Sequence, residues 1–251
     1  MNNNTKTLAT LSNEICFNLS EIYKLEFEKS NFLDVTNKQN ELKIKISQLQ
    51  QSAVELFGKS KITTPINYDF INSINQLLDD RITNDFRIYK VLPGKIYAGE
   101  IPSSIDDHHF EKKIKQLVDL GITRIINLTE SDEKNFRGVP LRDYQEKLPA
   151  NIQMHRFSIK DLDIPTPEHM RNILKSIESF IEKNEVIYIH CWGGIGRTGT
   201  VVGCFLIENE ILLPENAIGL IQFLKRNTDI RERNSPETIA QEEFIENWMR
   251  N

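Results

Sequence analysis

The residues best suited to chemistry lie in VIYIHCWGGIGRTGTVVG, residues 186–203, where Cys191 and Arg197 stand six positions apart across Gly193, Gly194 and Gly196. A run of β-formers precedes this stretch and an apolar, helix-like run follows it. Strand, loop and helix start together turn backbone N–H groups and the positive end of a helix dipole into one concavity. The glycines let the backbone curl closely with its amides inward. The expected product is a cup for an anion, formed by Trp192, Gly193, Gly194, Ile195, Gly196 and Arg197.

Cys191 at the mouth makes such a cup reactive. Inward amides, a helix N-terminus and an arginine each favour the thiolate over the thiol, and the thiolate is the nucleophile. Arginine suits the far end because its planar fork grips two phosphate oxygens and spreads transition-state charge. Two other phosphate motifs fit poorly. Gly194–Gly199 matches GxGxxG, but a dinucleotide fold wants a second strand ending in an acidic residue about 20 positions on. Residues 214–226 instead have a helical pattern, and too little chain remains for the rest of that sheet. A nucleotide-triphosphate loop needs a lysine that this loop lacks.

The flanking sequence predicts the elements that hold the loop. FRIYKV (86–91) and KIYAGEI (95–101) are short strands around Pro93-Gly94; TRIINLT and HRFSI are two more, and VIYIH has the composition of a central strand buried on both faces. Between them a helix is capped by Asp106 or Asp107 and ends at Gly121. Another starts with Thr166 as its N-cap and Pro167 at the first position. Further helices follow the loop, begin at Pro214, and begin at Ser235-Pro236-Glu237. Alternating strands and helices make an α/β fold, a mainly parallel sheet flanked by helices. Residues 1–80 differ: Leu8, Leu11, Ile15, Leu19 and Ile22, then Leu42, Ile46, Leu49, Ala53 and Leu56, recur at helical steps. They form a helical N-terminal extension of unknown role that packs on residues 81–251 or on a partner protein. Residues 23–32, YKLEFEKSNF, alternate in a manner open to a short strand.

A chain of 251 residues with a net charge of −5 does not suit a nucleic-acid binder, which needs clustered basic surface. Cys16, Cys191 and Cys204 are too few and too scattered for a disulfide framework or a zinc site, and Cys204 fits a buried small hydrophobe. No apolar run approaches a membrane span and no signal peptide is evident, so a reducing, cytoplasmic setting is expected. No metal and no cofactor are called for. His108-His109 belong to a solvated helix start, Glu130 and Asp132 to a solvated loop, and Phe244 and Trp248 to the core face of the last helix.

HCWGGIGRTGT resembles the HCxxGxxR signature loop of cysteine-dependent protein tyrosine phosphatases, and its RTG ending resembles their dual-specificity branch. The likeness runs over residues 86–251, through KIYAGEIP, GITRIINLTE and SPET, and leaves out the first 80. It implies a phosphatase-like fold in which Cys191 forms a phosphocysteine, Arg197 clamps the phosphoryl oxygens, Thr198 hydrogen-bonds the sulfur and His190 orders the loop. It implies a general acid on the loop RFSIKDLDIPTPEH, with Asp161 as the match and Asp163 as the alternative, and a water-positioning role for Gln241.

Relatives acting on highly phosphorylated inositols tend to carry loop lysines, whereas Trp192 and Ile195 are uncharged here. The resemblance therefore favours a phosphorylated protein or small phosphomonoester as substrate, unless Lys160, Arg137 or Arg142 builds a basic rim. Inositol phosphate or phosphoinositide hydrolysis, and a catalytically silent phosphate-binding module, are the alternatives.

Overall fold

Three of the four β-formers in VIYI, Ile187, Tyr188 and Ile189, are fully buried at the centre of the sheet, with Val186 just before the strand. The structure, a computed structural model, describes residues 3–27, 32–57, 65–78, 86–135 and 137–250. Five strands, β1 (Ile88–Leu92), β2 (Ile96–Gly99), β3 (Arg124–Asn127), β4 (Gln153–Arg156) and β5 (Ile187–His190), lie in the order β1-β2-β5-β3-β4. Only the β1–β2 pair is antiparallel, as a hairpin turning at Gly94 (φ 76°) requires. The helix α4 (Asp107–Asp119) joins β2 to β3, and α5 (Pro167–Glu182) joins β4 to β5.

Side chains alternate between two separate cores. Ile96, Ala98, Ile126, Ile187 and Ile189 face one side, where they meet α5, α6 (Gly196–Glu208), α7 (Pro214–Leu224) and Ile245 of α8 (Ile239–Glu246). Tyr97, Ile125 and Tyr188 face the other, against Phe110 and Leu117 of α4 and against Tyr144 and Ile152. The caps follow the chemistry of their residues: Asp106 accepts from the His109 amide, and Thr166 accepts from the His169 amide with Pro167 behind it.

The N-terminal residues are helical, as α1 (Asn3–Phe27), α2 (Phe32–Phe57) and α3 (Ile66–Leu78). The part of residues 23–32 that is described up to Phe27 is not a strand. Leu25 is buried three positions after Ile22, so the helical stripe simply continues. The boundary expected at residue 80 falls outside the described residues. On α1, Leu8, Ile15 and Leu19 are fully buried in the same core as Leu220 and Ile221 of α7. Polar contacts fix the docking: Asn13 Oδ1 accepts from the Leu213 amide at 2.8 Å, and the Tyr23 hydroxyl donates to the Arg231 carbonyl at 2.8 Å. From α3, Asp69 pairs with Lys95 at 2.6 Å.

Two expected boundaries move. The strand expected over HRFSI lies earlier, at Gln153–Arg156, because β4 pairs with β3 from Arg124 onward. The last helix begins at Ile239 rather than near Pro236, since Thr238 and Gln241 close a capping box there. Register brings Gly99, Asn127 and His190 level with one another, so the segments leaving β2, β3 and β5 meet at one end of the sheet.

The seam between α1 and α7 yields a test by sign. A methyl on Gly219 would lie 2.7 Å from Ser20 Oγ and 2.9 Å from its Cβ. Gly219→Ala in an exposed helix would stabilise by about 1 kcal/mol, whereas overpacking against α1 costs about 1–3 kcal/mol. The expected outcome is a lower midpoint in urea unfolding; a raised midpoint would mean that α1 does not lie on α7.

Candidate active site

The phosphate-type cup forms where β5 gives way to α6. Gly194 has φ 74°, and a Cβ there would lie 2.4 Å from the Gly99 carbonyl carbon. Only glycine fits, because this turn both needs the left-handed region and presses against the end of β2. The Trp192 carbonyl accepts from the Ile101 amide at 2.9 Å, and Ser235 Oγ donates to the Ile195 carbonyl at 2.8 Å. The loop is thus braced from both sides. No side chain caps α6, so its first amides keep their hydrogen-bonding capacity for a bound anion. Cys191, 3% exposed, lines a cleft of about 450 Å³ together with Trp192, Gly193, Ile195, Gly196, Arg197 and Asp161.

Arg197 is 1% exposed and paired at both Nη atoms. Its Nη1 and Nη2 donate to the two carboxylate oxygens of Glu133 at 2.6 and 2.7 Å. Nη1 also donates to the Ile159 carbonyl at 2.9 Å, and Nη2 lies 2.8 Å from Asp161 Oδ1. Burial works against the charge, but the bonds to Glu133 and the nearby carboxylates outweigh it and hold the guanidinium above its ordinary pKa. Its Nε is buried with no hydrogen-bond partner. One donor of the fork is therefore left for a ligand.

Sequence reasoning missed Glu133, having considered only Glu130 and Asp132 in that loop. Asp132 is exposed, and the Glu130 amide donates to Glu133 Oε2 at 3.1 Å. The usable signal was indirect: a buried arginine needs a counter-ion, and the loop after the strand beside β5 is where one can reach it. Tyr144 was missed as well. His190 is fully buried, with Nδ1 2.8 Å from the Cys191 carbonyl and Nε2 2.5 Å from the Tyr144 hydroxyl. A carbonyl only accepts, so Nδ1 carries the proton and Tyr144 donates to Nε2. Burial pushes the imidazole down to about 3, with Arg156, Arg197 and Lys113 adding to that and the bond to Cys191 opposing it. His190 is a neutral strut between the loop's backbone and the core.

The two candidate acids are separated. Asp161, 48% exposed at its side chain, faces the cleft and touches Arg197. Asp163 turns its Oδ1 to the Ile164 amide, and its carbonyl accepts from Gln241 Nε2 at 3.0 Å. Gln241 is fully buried, and its Oε1 accepts from the Glu237 and Thr238 amides, so it anchors the Asp161 loop to α8 rather than standing in the cleft. Between the aspartates, Leu162 takes φ 63° and stays exposed. Thr198 Oγ1 is buried without a partner, and the bond expected from it to the sulfur is not formed.

Of the basic residues expected at the rim, Arg142 pairs with Asp107 away from the cleft, and neither Lys160 nor Arg137 lines it. Arg87, Lys113 and Arg233 line it instead. Among the described residues no group of three histidines, cysteines, aspartates or glutamates is placed to hold a metal ion.

Removing one partner of a buried ion pair leaves an uncompensated charge, so Glu133→Ala should cost about 3–5 kcal/mol in urea unfolding. His190 gives a pH test. Its folded value lies below the unfolded 6.5, so the unfolded chain binds the extra proton between 6.5 and about 3. Its contribution is fully present above 6.5 and is lost as pH falls, at roughly 1.4 kcal/mol per unit. The difference in stability between wild type and His190→Asn should shrink over that window; a constant difference would contradict a buried neutral imidazole.

Residues 104–210 match the family described as Tc-R-P, polymorphic toxin system, DSP-PTPase phosphatase. The phosphatidylglycerophosphate phosphatase PTPMT1 of Arabidopsis thaliana is 24% identical over 161 residues, 61% of this chain and 42% of its own length. Putative tyrosine phosphatase 067L of invertebrate iridescent virus 3 is 28% identical over 147 residues, 55% of this chain and 58% of its own. The chain thus spans about half the length of these curated relatives. Among solved structures, PTPMT1 in complex with PI(5)P superposes with a TM-score of 0.49 at 19% identity, covering 64% of this chain and 92% of that one.

Proposed function

We propose, from the premise that residues 104–210 belong to the cysteine-dependent protein tyrosine and dual-specificity phosphatase superfamily, that the cleft hydrolyses phosphate monoesters through a phosphocysteine intermediate. The observation that carries this reading is the meeting of three things at one point: the Cys191 sulfur, the uncapped start of α6, and an arginine whose Nε is buried and unengaged. A tetrahedral dianion supplies what all three lack.

In the first step the Cys191 thiolate attacks phosphorus in line with the ester oxygen. The P–O bond breaks, and the leaving oxygen takes the proton of the Asp161 carboxyl group. The α6 amides and the Arg197 fork carry the charge on the equatorial oxygens, acting in a site largely shut off from water. In the second step water attacks phosphorus and gives a proton to Asp161. The P–S bond breaks, releasing inorganic phosphate and the thiolate. Thr198 Oγ1 donates to that sulfur as it leaves, which gives the buried hydroxyl its partner.

In the resting structure Asp161 spends its carboxylate on Arg197 Nη2, the atom that a phosphoryl oxygen takes in the complex. Substrate therefore displaces the carboxylate toward the leaving group. The expected substrate is phosphotyrosine, phosphoserine or phosphothreonine in a protein, or a small monoester. An attacking thiolate persists only in reducing surroundings, which favours the cytoplasm. Residues 81–251 carry the catalysis, and residues 1–80 brace α7 and offer surface to a partner.

Purified protein should hydrolyse p-nitrophenyl phosphate under reducing conditions in the presence of EDTA. Cys191→Ser should abolish turnover, and Asp161→Asn should lower kcat by about 10²–10⁴ with phosphopeptide binding retained. No turnover by the wild type would overturn the proposal. Turnover that persists in Cys191→Ser would overturn the mechanism.

A further inference from the structure

Three cations stand on the wall of the cleft beyond the phosphate cup, and each already has a carboxylate. Lys113 Nζ lies 2.6 Å from Glu100 Oε1 and donates to the Ile101 and Ser103 carbonyls at 3.4 and 3.2 Å. An ammonium has three N–H donors, so this one is saturated. Arg87 Nε sits between the two oxygens of Asp229 at 2.8 and 2.9 Å, and its Nη1 is 3.3 Å from Glu100 Oε2. Arg233 pairs with Glu237 at 2.5 Å.

Glu100 is the shared element. One carboxylate answers two cations, one through each oxygen, with its side chain only 14% exposed and Lys113 only 12%. Its main chain is anchored, and its carboxylate is held by the two cations. Its amide donates to the Arg87 carbonyl at 3.0 Å, and its carbonyl accepts from the Tyr188 hydroxyl at 2.5 Å. The neighbouring Gly99 lies so close to Arg87 that a Cβ there would overlap the Arg87 carbonyl oxygen. In such half-buried surroundings charges are weakly screened, and Arg87 with Lys113 would otherwise form a second anion pocket beside the catalytic cup.

We infer that Glu100 is a specificity-determining residue: it neutralises Arg87 and Lys113 and so restricts the cleft to esters with a single phosphate, rejecting substrates that carry a second phosphate next to the first. This rests on the phosphatase reading above and names its substrate class. A second phosphate would have to displace a carboxylate already paired with two cations or lie against it, and like-charge juxtaposition in a cleft is a means of rejecting a wrong ligand. The uncharged loop positions Trp192 and Ile195 add no cation that would reverse the balance.

The test is an equilibrium one, independent of turnover. In the Cys191→Ser background, dissociation constants are measured by calorimetry for two peptides alike except that one has phosphotyrosine alone and the other has phosphothreonine beside the phosphotyrosine. Glu100→Gln keeps the shape and a hydrogen bond to Lys113 while removing the charge. It should shift the ratio of the two constants by about tenfold toward the doubly phosphorylated peptide, the size expected of one close charge contact. The shift should fall with added salt and should be lost when Lys113→Met is added. A ratio unmoved by Glu100→Gln overturns the inference, as does failure of either peptide to bind any variant. Failure of the phosphatase reading shows separately, as absence of p-nitrophenyl phosphate turnover by the wild type.

Discussion

A guanidinium sealed inside a protein is a liability of several kcal/mol until something of opposite charge sits against it. Arg197 is that liability here, and much of the site's architecture is the means of meeting it. Glu133 supplies both carboxylate oxygens, the loop after β3 is shaped to deliver Glu133, and the Ile159 carbonyl closes the remaining side. The arrangement leaves a residue of unmet demand, namely Nε and the α6 amides, and directs it to one place. Buried Arg197 Nε, buried Thr198 Oγ1 and the uncapped start of α6 all lie at this one end of the loop.

The same economy governs the histidine. A charged imidazole at the end of β5 would add a fourth cation beneath the loop, beside Arg156, Arg197 and Lys113. Burial and the Tyr144 bond keep it neutral, so it contributes orientation without charge. Positive potential in the cup then comes from groups that either cannot lose a proton, like Arg197, or have none to lose, like the helix start.

What the sequence revealed and what it hid divide along a physical line. Local patterns were legible: the β-formers of VIYI marked the central strand, which runs from Ile187 to His190, Thr166-Pro167 marked the start of α5, and three glycines between Cys191 and Arg197 marked the turn into α6. Glu133, Tyr144 and Glu100 were not legible, because each acts on a residue 13 to 64 positions away and nothing in its own neighbourhood marks it. Three acidic residues crowd Glu130–Glu133, and only the fold decides which one meets Arg197. Gln241 shows the same limit from another side. The resemblance implied a water-positioning glutamine, and the fold ties its side chain to the capping box at the start of α8. The strand imagined near Phe27 failed because α1 docks on α7, and a docked apolar stripe outweighs a few alternating residues.

Gln241 joins two events that are distant in the chain. The amide that starts α8 also grips the carbonyl of Asp163, two residues past the side chain that faces Arg197. The start of α8 is therefore tied to the Asp161 loop. Unwinding the last helix would free the Asp163 carbonyl and, because Gln241 also lies against Gly196, would loosen the Asp161 loop and the cup together.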